Sequence, residues 1–512
     1  MNRGFCNKCG KLVTAAPANR EGQVFLVKDC PVCGATETLI SADSGRYWAK
    51  HEIDLPAEHG GCALNCPHCQ NPKKPNLVFV DATNRCNLNC PICINNTPSM
   101  GFLFEPPLDY FDTIFRHFST FNPRPAIQLF GGEPTARSDL FEIIRLARSY
   151  GLPTRVVTNG IALANEEYCR SLVRSRATIL FAYDNDNPAL YQNLRGSAKI
   201  LDVKLKAIDN LSRIPEAKVV FMSLVAKGIN DQDLPRLFDF CHERRRFVRG
   251  IYFMPLSHTW DPTVFPLASE RITGEDIENR VAAAYPDEAV EFFPAGFLGQ
   301  LKTLLKYLGA KPLPFAGAHP NCESSYLLLS DGEQYLPVNH YVRGTTSALM
   351  KSLMTAETRL AAREQALAGS SVGRFLAALR LKKALLRIHG TAALLRIILR
   401  HVRLGRLFNG SGPAKAWHAL ALVCEFAAGR PSRKVLPRHS RVRSTLQLIV
   451  LPFEDKFTLE TDRLERCPSA FAYVNPADGQ VKCVSVCGWS LHKTAVMREI
   501  MAARAATAAP PA

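Results

Sequence analysis

Three thiols in one polar loop carry the most specific chemistry in the sequence. Asn76 to Ala82 reads NLVFVDA, a short apolar run of the kind that enters a buried sheet, and the chain then breaks into TNRCNLNCPICIN. Cys86, Cys90 and Cys93 stand there as C-x3-C-x2-C, at a strand's C-terminal end. Three thiolates from one loop suit a cubane iron-sulfur cluster, which ordinarily takes four cysteines, so one iron is left open for chemistry. A zinc knuckle or a closed electron-transfer cluster is the plainer reading, and the three-residue first gap and missing fourth ligand speak against it. A second apolar run, Ala126 to Phe130 (AIQLF), ends in Gly131-Gly132-Glu133-Pro134-Thr135. Paired glycines at a strand end let backbone approach a ligand closely, and a glutamate accepts hydrogen bonds from an ammonium group.

These two motifs, in this order and each after a strand, resemble those of the radical S-adenosylmethionine (radical SAM) enzymes. The resemblance implies that Cys86, Cys90 and Cys93 hold a 4Fe-4S cluster and that Gly131, Gly132, Glu133 and Pro134 hold the methionyl amine of SAM. The elements around them fit. From Leu77 to Pro255 strands and helices alternate, which argues for parallel strands with helical crossovers. Helices are expected over Leu108–Thr120, Ser138–Tyr150 and Glu166–Ser175. Strands are expected over Ala126–Phe130, Thr154–Thr158, Thr178–Tyr183, Val219–Leu224 and Gly250–Phe253. The succession resembles the partial (β/α)6 barrel of radical SAM cores, an α/β fold with its chemistry at the strands' C-terminal ends. By the same resemblance Asn159, in a T-N-G turn, Asp184 and Arg195 belong to the SAM pocket; turn chemistry and solvation are the plainer reading of all three.

The remaining cysteines are grouped as metal ligands are, which implies a reducing compartment. Cys6-x-x-Cys9-Gly10 and Cys30-x-x-Cys33-Gly34 are two knuckles whose four thiolates complete a tetrahedral site, a zinc ribbon or a rubredoxin-like iron centre, serving to hold a small domain together. Cys62, Cys66 and Cys69 echo the SAM-type loop and are expected to ligate an auxiliary cluster. A minimal assignment closes that cluster with Cys322, from the segment His319-Pro320-Asn321-Cys322, and leaves Cys467, Cys483 and Cys487 for a second. Cys169, Cys241 and Cys424 stand alone in apolar surroundings and are expected to be buried as small hydrophobes.

The chain has 512 residues, enough for two or three domains, and a net charge of +17. The divisions expected are a four-Cys module over 1–50, an auxiliary cluster segment over 51–76, the barrel over 77–310 and a C-terminal extension over 311–512. No apolar run suits a signal peptide or a bilayer span, so the protein is expected in the cytoplasm. The charge calls for an anionic partner. Much of it lies between Gly373 and Arg443, where Arg380, Lys383 and Arg387 face away from Leu381, Leu385 and Ile388, and Arg396, Arg400 and Arg403 face away from Leu395, Ile398 and Val402. Such a basic amphipathic helix lies on an anionic membrane surface or binds an acidic partner; as a plainer alternative it packs on a core with a solvated basic face. No aromatic platform interleaves these charges, so nucleic acid is not expected. The terminal AARAATAAPPA is expected to be disordered.

The four-Cys site, the doubled cluster loop, the H-P-x-C segment and the late cysteines together resemble the radical SAM branch of tetraether lipid synthase and dihydropterin methylase-like proteins. The resemblance implies reductive cleavage of SAM to a 5′-deoxyadenosyl radical that abstracts hydrogen from an unactivated carbon, with one or two auxiliary 4Fe-4S clusters and an external electron donor. The first expectation is C–C coupling or alkylation of a long-chain lipid, for which the apolar segment Phe292–Leu308 and the basic region would suit a greasy substrate with an anionic head. The alternatives are radical methylation of a small heterocycle such as a pterin, and a non-catalytic iron-sulfur electron-transfer protein.

Overall fold

Val24, Leu26 and Cys30 alternate with more exposed residues along β3 (Gln23–Cys30), as a half-buried strand requires. It is the third strand of an antiparallel sheet with β1 (Arg3–Phe5), β2 (Leu12–Arg20) and β4 (Gly34–Ser41), in the order β1-β2-β3-β4. The computed structural model describes residues 2–54, 64, 74–95, 97, 100–259, 269–308, 317–371, 374–375 and 381–508.

All seven residues of β5 (Leu77–Thr83) are buried, because one face meets helices and the other a central cavity, the usual situation of a parallel strand. It is followed by β6 (Ala126–Gly131), β7 (Thr154–Thr158), β8 (Thr178–Ala182), β9 (Val219–Val225) and β10 (Val248–Pro255), each parallel to the one before. Helices Leu108–Ser119, Leu140–Ser149, Glu166–Arg174, Ile200–Ser212 and Leu234–Glu243 lie between them, the α/β succession expected. The first of these turns Tyr110, Phe111, Ile114, Phe115 and Phe118 into the core, a stripe of helical period.

The C-terminal extension adds strands on both sides of these six. β14 (Ser444–Val450) runs parallel beside β10, and β15 (Ser469–Val474) runs parallel beside β5. Beyond them β12 (Ser324–Ser330) pairs antiparallel with β14, flanked by β11 (Phe293–Pro294) and β13 (Tyr335–Pro337), while β16 (Val481–Ser485) pairs antiparallel with β15. The segment between β14 and β15 supplies Leu451, Pro452 and Phe453 to the wall of the central cavity.

Three expectations need correction. The chain end is helical through Ala508: alanine favours helix, and Arg504 docks it to Asp109 at 3.2 Å. In the helix Leu381–His401 the buried side chains are Leu386, Gly390, Ile397 and His401, while Leu381 (48%) and Ile388 (65%) are exposed, because the neighbouring helices pack on a different stripe. Cys424 is exposed, since helix Gly412–Ala427 turns Ala419, Leu422 and Val423 inward instead; Cys169 and Cys241 are buried. Among the described residues no helix is long and apolar enough to cross a membrane.

Candidate functional site

The strand ends surround a cavity enclosing about 1670 Å3 of non-atom space, part of it open to solvent. Cys86, Cys90 and Cys93, in the loop after β5, line it together with the Gly131–Glu133 turn after β6, Asn159 after β7 and Arg195. The loop is fixed by backbone: Gly132 N–H donates to Thr83 O at 2.7 Å and Glu133 N–H to Arg85 O at 2.8 Å. A Cβ on Gly131 would fall 2.2 Å from Thr83 O, and one on Gly132 would fall 2.4 Å from Arg85 O. Paired glycines are thus required here first by the chain's own thiol loop, which passes against the exit of β6.

Glu133 is buried, and its carboxylate clamps neighbouring strand ends. Oε1 accepts from Thr135 N (3.0 Å), Thr135 Oγ1 (2.6 Å) and Thr158 Oγ1 (2.8 Å), and Oε2 accepts from Asn159 N (2.6 Å). Oε1 is therefore saturated, and of the two oxygens Oε2 keeps room for one further donor such as an ammonium. Pro134 opens a short 3-10 turn, Pro134–Ala136, where its missing N–H costs nothing. The Asn159 amide bridges to Asn87 Oδ1 at 2.7 Å, tying the turn after β7 to the thiol loop.

Asp184 and Arg195 form a bidentate pair, Nε to Oδ2 at 3.0 Å and Nη2 to Oδ1 at 2.9 Å. Leu224 N–H also donates to Asp184 Oδ1 at 2.9 Å, so the carboxylate is a support for the guanidinium. Burial pushes the Cys90 thiol up, and the Arg195 charge opposes it. Lys204 was not singled out from the sequence, yet it is buried on the cavity wall and donates to Asn159 O at 2.6 Å and to Ala182 O. Burial and the charge of Arg195 bring it down to about 8. The available signal was a lysine in register with the apolar stripe Ile200, Ala207, Ile208 and Leu211.

Cys322, Cys467 and Cys487 line the same cavity. Burial pushes the Cys322 and Cys487 thiols up, and each is raised further by neighbouring groups that include Cys467. Cys483 lies on β16 in register with Ala472 of β15, off the cavity wall. Among the described residues Cys322 thus stands with Cys467 and Cys487, brought together by the folding of the extension across the barrel. Cys62, Cys66 and Cys69 lie outside the described residues.

The four ribbon sulfurs, Cys6, Cys9, Cys30 and Cys33, lie within 4.8 Å of one another, as a tetrahedral ion requires. Backbone N–H groups of Cys9 and Lys8 bring Cys6 down to about 6, so one thiolate is favoured before any ion binds. Cys86, Cys90 and Cys93 line one cavity that can take a multi-atom cluster. Burial lifts Cys86 to about 11, with Glu133, Cys90 and Cys93 adding to the effect, so a bound cationic cluster would favour its thiolate. Both donor sets fit the groups the motifs imply.

The model of the radical SAM superfamily matches residues 80–241, and that of the HMPTM N-terminal zinc ribbon domain matches residues 2–42. The 7,8-dihydro-6-hydroxymethylpterin dimethyltransferase of Methanocaldococcus jannaschii is 30% identical over 353 residues, 66% of this chain and 70% of the relative. A GTP 3′,8-cyclase of Acidothermus cellulolyticus is 26% identical over 242 residues, 44% of this chain and 63% of the relative. A solved radical SAM methyltransferase from Sphaerobacter thermophilus superposes with a TM-score of 0.31 at 15% identity, over 54% of this chain and 74% of that one, too remote to carry an argument. With the thiol loop and the Gly-Gly-Glu turn on adjacent strand ends of an open parallel barrel, the chain belongs to the radical SAM superfamily of iron-sulfur enzymes.

Proposed function

We propose that this chain methylates a small planar heterocycle of the dihydropterin type. The family's 4Fe-4S cluster and SAM, when bound, supply reductive cleavage of SAM and hydrogen abstraction from an unactivated carbon. In this reading Cys86, Cys90 and Cys93 hold the cluster. Gly131, Gly132, Glu133 and Pro134 present their backbone, and Glu133 Oε2, to the amino-acid end of SAM. Asn159 ties the turn beside it, and Asp184 orients Arg195 toward Cys90. Leu451, Pro452 and Phe453 cover the cavity and exclude water from the reacting carbon. Cys322, Cys467 and Cys487 are proposed ligands of an auxiliary cluster, with Cys62, Cys66, Cys69 and Cys483 as further candidates, and Cys6, Cys9, Cys30 and Cys33 hold zinc.

The observation that carries the substrate class is the mixed wall of the cavity. Gln128, Arg155 and Tyr252 project from β6, β7 and β10 among apolar neighbours. Such a wall suits a flat polar ring and disfavours an alkyl chain, which would leave these polar groups desolvated and unpaired. The relationship to a dihydropterin dimethyltransferase supports the same reading. The test is anaerobic reconstitution with SAM and dithionite, followed by mass spectrometry of the pterin and assay of 5′-deoxyadenosine. A pterin-dependent rise in 5′-deoxyadenosine with a methylated pterin is expected. A rise with host lipid extract and none with pterin would replace the reading by lipid coupling.

That second reading has one observation of its own. Leu381, Ile388 and Leu399 are exposed and fall on one helical stripe with Arg396 and Arg400 beside it, a surface suited to anionic lipid.

A further inference from the structure

The floor of the cavity holds two buried polar groups that the proposed mechanism does not use. Gln128 and Arg155 are 4% and 7% exposed, and they are register partners across β6 and β7. Their side chains therefore leave adjacent strands on the same face, about 4.8 Å apart at the backbone, and both line the cavity. Gln128 Oε1 and Arg155 Nε have no hydrogen-bond partner. Arg155 Nη2 donates to the Tyr252 hydroxyl at 3.3 Å, and the guanidinium lies 5.7 Å from the centre of that ring. Among the described residues no carboxylate pairs with Arg155.

An unpaired buried acceptor and an unpaired buried donor each forfeit the hydrogen bond they made to water, so two side by side are unfavourable unless something fills them. The missing partner must offer an acceptor to Arg155 and, next to it, a donor to Gln128. We propose that these two residues form a recognition subsite for a lactam edge, the carbonyl and adjacent N–H of a ring such as that of a pterin. The ring carbonyl accepts from Arg155 Nε, the neighbouring ring N–H donates to Gln128 Oε1, and Phe79, in register with Gln128, supplies an apolar neighbour. Arg155 and Gln128 are thus specificity-determining residues. An alkyl chain satisfies neither group, and a phosphate or carboxylate would set its lone pairs against Gln128 Oε1. The inference rests on the heterocycle reading above and sharpens it to particular atoms.

The test uses the full chain, reconstituted with clusters and SAM, and measures binding of 7,8-dihydro-6-hydroxymethylpterin and of 2,4-diamino-6-hydroxymethyl-7,8-dihydropteridine. The second ligand is similar in shape but reverses the donor and acceptor at the lactam edge. Wild-type protein should prefer the lactam by at least about tenfold. Arg155→Met and Gln128→Met, with unchanged iron content and circular dichroism, should lose most of that preference. The ligand comparison on wild-type protein needs no variant, so it stands even where a variant misfolds. Equal binding of the two ligands overturns the subsite while leaving the pterin reading intact. Absence of any pterin binding, with lipid-dependent 5′-deoxyadenosine formation, overturns both. Competition of inorganic phosphate with the pterin, lost in Arg155→Met, would make the floor an anion site and overturn the lactam assignment.

Discussion

Lys493 of the last helix donates to Asp81 of β5 at 3.0 Å, with both side chains buried. The same ammonium donates to Asn95 Oδ1 at 2.9 Å, just past the thiol loop, and Trp489 Nε1 donates to the other Asp81 oxygen at 2.8 Å. Residues 412 apart in sequence thus meet behind the loop that carries Cys86, Cys90 and Cys93. Removing one partner leaves the other charge buried and unpaired. Lys493→Met should cost about 3–5 kcal/mol in denaturant unfolding, and Lys493→Met with Asp81→Asn should recover part of it. If the single variant unfolds like wild type, the pair does not hold the helix to the barrel.

Gly132→Ala places a methyl group 2.4 Å from Arg85 O and 2.7 Å from Asn84 O. Neither is the end of a flexible side chain, so the thiol loop must shift. Reconstituted protein should hold less iron and bind SAM more weakly, with secondary structure by circular dichroism unchanged. Full iron incorporation would show that the loop tolerates the displacement.

Lys204 predicts a pH dependence. Its folded-state value of about 8 lies below the ordinary 10.5, because burial and Arg195 disfavour its charged form. Between these values the unfolded chain binds more protons than the folded one, so stability rises with pH. In cluster-free protein, the gain from pH 8 to pH 9.5 should be larger in wild type than in Lys204→Met by roughly 1 kcal/mol per pH unit. Identical slopes would mean that Lys204 is neutral, or fully charged, throughout that range.

The ribbon should bind zinc and keep the late segment ordered. Lys28, fully buried, donates to Phe457 O at 2.5 Å, and Asn2 donates to Glu460 at 2.6 Å. Substituting Cys9 and Cys33 with serine should abolish zinc binding and raise amide exchange over residues 455–462. Unchanged exchange there would separate the ribbon from that segment.

Leu381→Ser with Ile388→Ser should weaken sedimentation with vesicles containing anionic lipid, an effect that salt also weakens. Equal retention on neutral vesicles would argue against the charge-assisted surface.

Much of the barrel was legible from the sequence because its signals are local. Short continuous apolar runs mark β5 to β10, and glycines, prolines and cysteines at their ends mark turns and ligands within a few residues of each other. The expected spans agree with the observed ones to within a residue or two, as at Ala126–Gly131 and Thr154–Thr158. The chemistry expected of the thiol loop and the Gly-Gly-Glu turn likewise came from motifs a few residues long, through their resemblance to those of radical SAM enzymes.

What only the tertiary structure decided involves partners far apart in the chain. Spacing could not show that Cys322 stands with Cys467 and Cys487, that Lys204 enters the cavity, or that Gln128 and Arg155 lie side by side, because strand register and the path of the extension set those neighbours. Nor could a helical wheel choose which stripe of Leu381–His401 is buried, since apolar residues occupy more than one face and only the packed neighbours select between them. Sequence determined which residues could do chemistry; three-dimensional pairing decided which of them share a wall, because electrostatics and hydrogen bonds act over a few ångströms of space and not along the chain.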